Sequence, residues 1–241
     1  MTVSVLAVSV GALFTVLWGL RAVIHRAGAF LLVGWFFVAL LSSWLGFYQG
    51  APGRIPTIEF GLLVPIIAGL LFYWRSPRAR RIVSGASQGL LVGIQIYRIE
   101  GLIFLLLLAA GRMPRVFAFP AGVGDVAVGL LAPVVAWSFT RGLRGSKGVL
   151  LAWNLLGLAD LAVALTTGFL SSPSPAQMLA FDQPNTLITA FPIVMIPVFL
   201  VPLAILLHLA SLEKLRRDLE QPYPVLPGNG AKNVGRGEAF Q

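Results

Sequence analysis

Residues 88–111 read QGLLVGIQIYRIEGLIFLLLLAAG, a run with few polar residues. An α-helix needs about 17–25 apolar residues to cross the hydrocarbon core of a bilayer. The run therefore predicts a transmembrane helix. Its two charged residues, Arg98 and Glu100, lie deep inside it, where a charge costs roughly 2.5–3.5 kcal/mol on insertion scales. Such costly side chains usually pair with one another, line a wet cavity or carry out chemistry.

Six further apolar runs give the chain its class. The 241 residues are 57% hydrophobic and only 11% charged, against about 25% charged in a soluble domain. Most of the surface must therefore face lipid, and we predict an all-α, polytopic bundle of seven transmembrane helices. The predicted spans are residues 3–20, 29–48, 57–74, 85–110, 119–139, 149–170 and 187–210. No basic residue precedes the first run, unlike in a cleaved signal peptide, so we expect it to be retained.

The basic residues between the spans predict an orientation. Alternate connections, with the segment after the last span, carry 12 Lys and Arg residues on one side and 3 on the other. The positive-inside rule then places the N-terminus outside and the C-terminus in the cytoplasm. The expected location is the inner membrane of a bacterial cell, with a multi-pass topology.

The net charge of +9 does not indicate nucleic-acid binding, because the basic residues are spread over short connections with no binding domain. We predict a membrane domain over residues 1–212 and a basic, then disordered, cytoplasmic tail over residues 213–241, rich in Pro and Gly. The chain has no Cys, which excludes disulfides and thiolate chemistry. No connection is long enough for a soluble catalytic domain.

The fourth predicted span is the most polar one. At 100° per residue, Gln88, Gln95 and Arg98 share a face, whereas Glu100 lies about 200° from Arg98. These two charges therefore need partners on other helices. Arg98 is either a cation that lines a binding pocket or a structural arginine held by carbonyls and a carboxylate.

Asp160 lies at a similar depth in the sixth predicted span and is the natural partner of Arg98. Asn154 lies six residues earlier, on a face about 120° away, and need not share its site. Paired with Arg98, Asp160 forms a structural lock; without that partner it is a candidate proton carrier. The sequence leaves both alternatives open.

Two more acidic residues lie near the predicted outer side. Asp125 belongs to Gly-Val-Gly-Asp, a pattern also found in intramembrane aspartyl proteases, which need two carboxylates that share a proton. The other aspartate and the Pro-Ala-Leu element of that family are not in their expected places, so a protease is disfavoured. Glu59 is either a helix-start acid favoured by the dipole or a third carboxylate that lines an outward cavity with Asp125.

Span seven contains Pro192, Pro197 and Pro202, which predict a bent helix or a hinge. His208 and His25 lie near one membrane face and could ligate a haem. Isolated histidines at helix ends are more typical of interfacial residues, and no metal-ligand spacing occurs. We therefore predict no metal and no cofactor.

The second half of the chain resembles a bacterial family of uncharacterised seven-helix membrane proteins, over about residues 95–211. The matching elements are Arg98, Gly111 to Pro114, Asp125 with Gly129, Ala132 and Pro133, Trp153 with Asn154 and Gly157, Phe191 with the spaced prolines, and His208 with Ser211. The resemblance implies an architecture and no activity.

Three functions follow as hypotheses. The first is binding or translocation of a small molecule or ion in a polar cavity lined by Gln95, Arg98, Glu100, Asp125, Asn154, Asp160 and Glu59. The second is an enzyme that acts on a lipid or isoprenoid by carboxylate acid–base chemistry. The third is an accessory subunit of a membrane complex. The expected partners are the bilayer, a small ligand under the first hypothesis and a membrane protein under the third.

Overall fold

The computed structural model describes residues 2–24, 26–49 and 57–220, and these are folded into helices without a strand. Seven helices are long and apolar enough to cross a membrane, as the sequence predicts. In chain order, spans one to seven are Val3–Leu20, Arg26–Trp44, Ile58–Arg75, Gln88–Ala109, Arg115–Thr140, Ser146–Ser171 and Ile196–Glu220.

Span four begins later than the predicted residue 85, because the helix is interrupted before it. Residues 86 and 87 are extended, and the Ser87 hydroxyl accepts a hydrogen bond from the Leu90 amide at 3.2 Å. Serine is a favoured residue at this capping position. The preceding residues form a separate helix, Pro77–Gly85, which we call the linker helix. It lies in the predicted connection between spans three and four.

Span seven differs most from its predicted range of 187–210. Residues 187–195 form a short 3₁₀ turn and irregular backbone with a cis bond between Phe191 and Pro192. The helix then runs from Ile196 to Glu220. Its last turns carry ion pairs at helical spacing, from Glu213 to Arg216 and Arg217, which favour helix beyond the apolar part. The tail from residue 221 lies outside the described residues.

Span seven is the central helix of the bundle. In its most apolar 18-residue stretch, 61% of the residues are buried, against 6% in the corresponding stretch of span three. Spans three, four and six pack against it, and span five packs against spans four and six. Spans one to three also expose large apolar side chains such as Phe30, Phe60 and Trp74, which face lipid at no cost. The buried charged side chains Arg98, Glu100 and Asp125 lie in the part of the bundle that spans four to seven form.

Glycines let spans four and five approach each other closely. A Cβ atom added to Gly122 would lie 2.9 Å from the Gly101 carbonyl oxygen, and one added to Gly129 would lie 2.7 Å from the Ile99 amide nitrogen. Small residues permit such backbone contact in membrane helices. Gly122 and Gly129 are seven residues apart and share one helix face, and the backbone of span four packs on that face.

Replacing Gly129 with alanine should therefore lower the free energy of unfolding by about 1–3 kcal/mol, because the added methyl group meets rigid backbone. Gly34→Ala in span two is the matched control, since nothing lies within 4 Å of an added Cβ there and alanine favours a helix over glycine. Thermal unfolding in detergent measures both variants. Equal melting temperatures would contradict the close contact.

Candidate functional site

The middle of span four is not α-helical. Residues Ile94–Gly101 form a 3₁₀ helix between two α-helical pieces, Gln88–Gly93 and Leu102–Ala109. A 3₁₀ helix has three residues per turn, so that Gln95 and Arg98 lie directly above each other. Long 3₁₀ stretches inside helices are uncommon and often mark a functional hinge. This segment contains Gln95, Arg98 and Glu100, three of the predicted site residues.

Arg98 is paired with two aspartates. Its Nε donates to Asp125 Oδ1 at 2.7 Å, and its Nη2 donates to Asp160 Oδ2. The arginine is 3% exposed. The sequence leaves open whether Asp160 is its partner; the structure shows this pair and adds Asp125 from span five. One guanidinium thus joins spans four, five and six, from a position in the middle of span four.

The other terminal nitrogen of Arg98 reaches His208 on span seven. Arg98 Nη1 lies 3.1 Å from His208 Nε2 and 3.4 Å from the Gly157 carbonyl oxygen. A guanidinium has only donors, so Nε2 accepts and the imidazole proton is on Nδ1. That proton is donated to Asn154 Oδ1 at 2.9 Å. His208 is fully buried, so its interpretation as an interfacial residue is wrong.

The network continues from Asn154 along span seven. Asn154 Nδ2 donates to the Ser211 hydroxyl at 2.9 Å, which also accepts from Gln88 Nε2 at 2.6 Å. Asn154 and Asp160 were expected on separate faces. They belong to one network because the long Arg98 side chain and the His208 ring together bridge the gap between them.

Two more glycines make room for this network. An added Cβ at Gly157 would collide with the His208 ring and lie 3.2 Å from Arg98 Nη1. One at Gly124 would collide with the Asp160 carboxylate. The Gly-Val-Gly-Asp motif is therefore explained by packing, since Gly122 admits span four and Gly124 admits Asp160. A single arginine separates the two aspartates, unlike the shared proton of a protease dyad.

Glu100 lies beside this network without a partner. Both of its carboxylate oxygens are buried and accept no hydrogen bond from any described residue. It lines a cavity of about 20 Å³ together with Tyr97, Arg98 and Asp125. A cavity needs roughly 10–15 Å³ to hold one water molecule. The space next to Glu100 is therefore sufficient for a single water.

The opposite wall of the cavity belongs to an irregular part of span seven. Residues Ile196–Leu200 form one turn of π-helix, a feature frequent at functional sites. The Tyr97 hydroxyl donates to the Leu200 carbonyl at 2.8 Å, and Gln95 Nε2 donates to the Ala204 carbonyl at 3.2 Å. Two distorted segments thus face each other across the cavity and are joined by side-chain hydrogen bonds to backbone.

The three predicted hinge prolines are placed differently from one another. Pro197 lies in the π-helical turn and Pro202 in the α-helix that follows it. Pro192 precedes the span and is not part of it. Glu59 lies in the first turn of span three and is not among the residues that line the cavity with Asp125. His25 lies outside the described residues.

Comparison with protein families gives one match. The model of a family described as "Domain of unknown function (DUF8737)" matches residues 55–216, more than half of the chain. The chain belongs to this family. The match includes every predicted site residue, from Glu59 to Pro202, and the network residues His208 and Ser211. Its description names no fold, source or activity, and searches of curated proteins and of solved structures found no match.

Proposed function

We propose that this protein binds and exchanges protons inside the membrane, at a carboxylate cluster held by Arg98. Proton exchange is the form of ion binding and translocation that the site geometry supports best. The observation that carries the proposal is Glu100: a buried carboxyl group without a hydrogen-bond partner among the described residues, beside a cavity with room for one water. A side chain of this kind at membrane depth is by default a functional candidate.

Charge balance supports this proposal. Arg98 carries one positive charge, whereas Glu100, Asp125 and Asp160 together carry three negative charges when ionised. Buried net charge is costly because the desolvation of each ion is only repaid by a close partner. Two protons make the cluster neutral. Among the described residues, no group of three or more His, Asp or Glu side chains is placed to hold a metal ion, which favours protons over metal cations.

The division of roles among the carboxylates also supports proton exchange. Asp125 and Asp160 are fixed by charge-assisted bonds to Arg98, which are stronger than neutral hydrogen bonds. Glu100 has no such bond and is free to gain or lose a proton through the adjacent water site. We therefore assign proton exchange to Glu100 and the holding of the cluster to Arg98 and the two aspartates.

Larger and anionic ligands fit the site less well. Pockets for lipid-sized molecules have volumes of about 300–1,000 Å³, whereas the carboxylates line only about 20 Å³. A larger groove of about 360 Å³ is lined by apolar residues alone, among them Phe37, Trp44 and Phe191. Arg98 directs its donors at Asp125, Asp160, Gly157 and His208, so it is not open to an anion.

The two distorted segments are the proposed moving parts. The 3₁₀ segment of span four and the π-helical turn of span seven have irregular backbones on both sides of the cavity. A 3₁₀ stretch inside a helix often marks a functional hinge, and π-helical turns are frequent at functional sites. We further propose that the N-terminus lies outside and the C-terminus in the cytoplasm, in a bacterial inner membrane, on the 12-to-3 distribution of basic residues.

Glu100→Gln should remove one titrating carboxyl group and leave the protein folded. Glutamine has the shape of protonated glutamic acid but binds no proton. We expect infrared difference spectra of the reconstituted protein, recorded across a pH change, to show a buried carboxyl band in the wild type. This band should be absent in Glu100→Gln. Proton uptake by proteoliposomes under a pH gradient should fall to the level of empty liposomes in the same variant.

Glu59→Gln is the matched control, because Glu59 is also a membrane carboxylate without a described partner but does not line the cavity. We expect this variant to retain the cavity-dependent band and the proton uptake. A Glu100→Gln spectrum identical to that of the wild type would refute the proposal. A purely structural network would then favour the accessory-subunit hypothesis, and the search would turn to a membrane-protein partner.

A further inference from the structure

A second group of charged side chains lies at the end of span three, and none of its members lines the cavity. It is formed by the turn after span one and by the linker helix Pro77–Gly85. These two segments touch each other. A Cβ atom added to Gly85 would lie 2.6 Å from Val23, and one added to Gly28 would lie 3.9 Å from Ile82. Two short basic segments are thereby brought side by side.

Five arginines of these two segments and of the adjoining ends of spans two and three form what we call the basic platform. Its members are Arg21, Arg26, Arg75, Arg78 and Arg81, all of which are exposed. No Asp or Glu occurs in residues 21–28 or 75–85. None of the five has an ion-pair partner among the described residues. Arg21 stacks on the ring of Trp18 at 4.3 Å, and the other four are open to an anion.

The corner that carries the platform is well fixed. The Ser76 hydroxyl accepts from the Ala79 amide at 3.3 Å and caps the linker helix. Arg80 is not counted in the platform, because it donates to the Trp74 carbonyl at 2.7 Å, at the end of span three. The linker helix is also held to span seven, because Lys214 Nζ donates to the Ser84 carbonyl at 2.9 Å. The platform arginines therefore project from a rigid base.

The arginines at the end of span seven differ from those of the platform, because they have carboxylate partners within the chain. Arg216 is paired with Glu213 and Glu220, and Arg217 is paired with Glu213 and contacts the Tyr73 hydroxyl at 2.6 Å. Each of these arginines has an internal carboxylate. The platform has five arginines and no carboxylate in its own segments, which indicates an anion from outside the chain.

We propose that the basic platform binds the phosphate headgroup of an anionic phospholipid. Two features favour a lipid over a soluble phosphate. The linker helix is strongly amphipathic, as expected of a helix that lies in the membrane interface. Exposed tryptophans, Trp18 and Trp74, flank the platform, and tryptophan marks the headgroup level of a bilayer. Arginine also binds phosphate oxygens with two parallel hydrogen bonds.

The proposal is tested by native mass spectrometry of the full chain in detergent, titrated with phosphatidylglycerol and with phosphatidylcholine of the same acyl chains. We expect the wild type to bind phosphatidylglycerol with the higher affinity. The triple variant Arg75→Gln/Arg78→Gln/Arg81→Gln should lose about tenfold or more of that affinity, since each basic residue near a membrane surface contributes about a fivefold factor in binding.

The matched control removes the same number of charges from the same face. Arg141, Arg144 and Lys147 lie at the turn between spans five and six, and that turn adjoins the start of span four, because a Cβ added to Gly89 would lie 2.8 Å from Thr140. We expect Arg141→Gln/Arg144→Gln/Lys147→Gln to keep the preference. Equal losses in both triple variants would show a general effect of charge and overturn the platform as a site, as would a wild type without a preference.

Three further measurements complete the test. Inorganic phosphate that displaces phosphatidylglycerol at similar concentration would show a soluble ligand and overturn the lipid assignment. The chain has no Cys, so Gln241→Cys in each triple variant reports the side of the membrane on which the tail lies.

The conservative triple variant Arg75→Lys/Arg78→Lys/Arg81→Lys keeps the charge. It should retain part of the affinity and lose the contribution of paired hydrogen bonds.

Discussion

Arg98→Leu is expected to lower the free energy of unfolding by about 3–5 kcal/mol, the range for removing one member of a buried ion pair. The loss is large because Asp125 and Asp160 both depend on this guanidinium. His208 and the Gly157 carbonyl lose the same donor group. Reversible unfolding of the purified protein by titration with a denaturing detergent measures the change against the wild type.

The matched control removes the charge of Arg98 together with the charges of both aspartates that pair with it. In the triple variant Arg98→Leu/Asp125→Asn/Asp160→Asn no charge remains without a partner at the centre of the pair network. Replacing a whole buried ion-pair network by neutral residues is often close to neutral in stability. The triple variant should therefore be more stable than Arg98→Leu alone. A triple variant as unstable as the single one would show that Arg98 acts through its shape and not through its charge.

The same geometry predicts that a charge swap fails. Exchanging Arg98 and Asp160 would restore a simple pair, and the sequence alone suggests this double variant as a test of pairing. In the structure Asp125 also contacts Arg98. Arg98→Asp/Asp160→Arg would place a new carboxylate against Asp125, and like charges at close range are repulsive. We expect the swapped variant to remain as unstable as either single change.

The seven spans, and Asp160 as the natural candidate partner of Arg98, follow from the sequence for a simple physical reason. Hydropathy records how long a segment can stay in lipid, and the number of residues from a span's start gives depth. Both quantities are local. Arg98 and Asp160 lie at similar depth by this count, and the structure shows the ion pair between them.

The position of Glu100 does not follow from local sequence. An angle of 100° per residue places it away from Arg98, but the 3₁₀ geometry of Ile94–Gly101 changes that angle. Both residues line the same cavity. The close approach of span five at Gly122 and Gly129 accompanies this segment, and such contacts between helices are not encoded in the periodicity of one helix.

His208 was misplaced because of the predicted end of span seven. With the span ending at residue 210, His208 lies at a membrane face. The helix continues to Glu220 and starts nine residues later than predicted, so His208 is inside the bundle. Charged residues end a hydropathy window but do not end a helix. The spacing of His208 and Ser211, three residues apart on one helical face, was the available signal for a shared site.

His208→Phe is expected to lower the free energy of unfolding by about 1–3 kcal/mol, because it leaves the buried Asn154 carbonyl without a donor and takes one of two acceptors from Arg98 Nη1. Phenylalanine keeps an aromatic ring beside Trp153, whose ring centroid lies 4.9 Å from that of the imidazole. It removes the acceptor for Arg98 Nη1 and the donor to Asn154 Oδ1. The effect therefore reports hydrogen bonding more than lost volume.

A double-mutant cycle separates this network from general damage. Once His208 is replaced, Asn154→Leu should cost less than it does in the wild type, because the Asn154 carbonyl has already lost its donor. Contacting residues show coupling energies of about 0.5–3 kcal/mol. Thr57→Val is the control partner, since the Thr57 hydroxyl donates to the Phe47 carbonyl between spans two and three and is not part of the His208 network. Its effect should add to that of His208→Phe. Additivity in both cycles would show that no continuous polar network links spans four, six and seven.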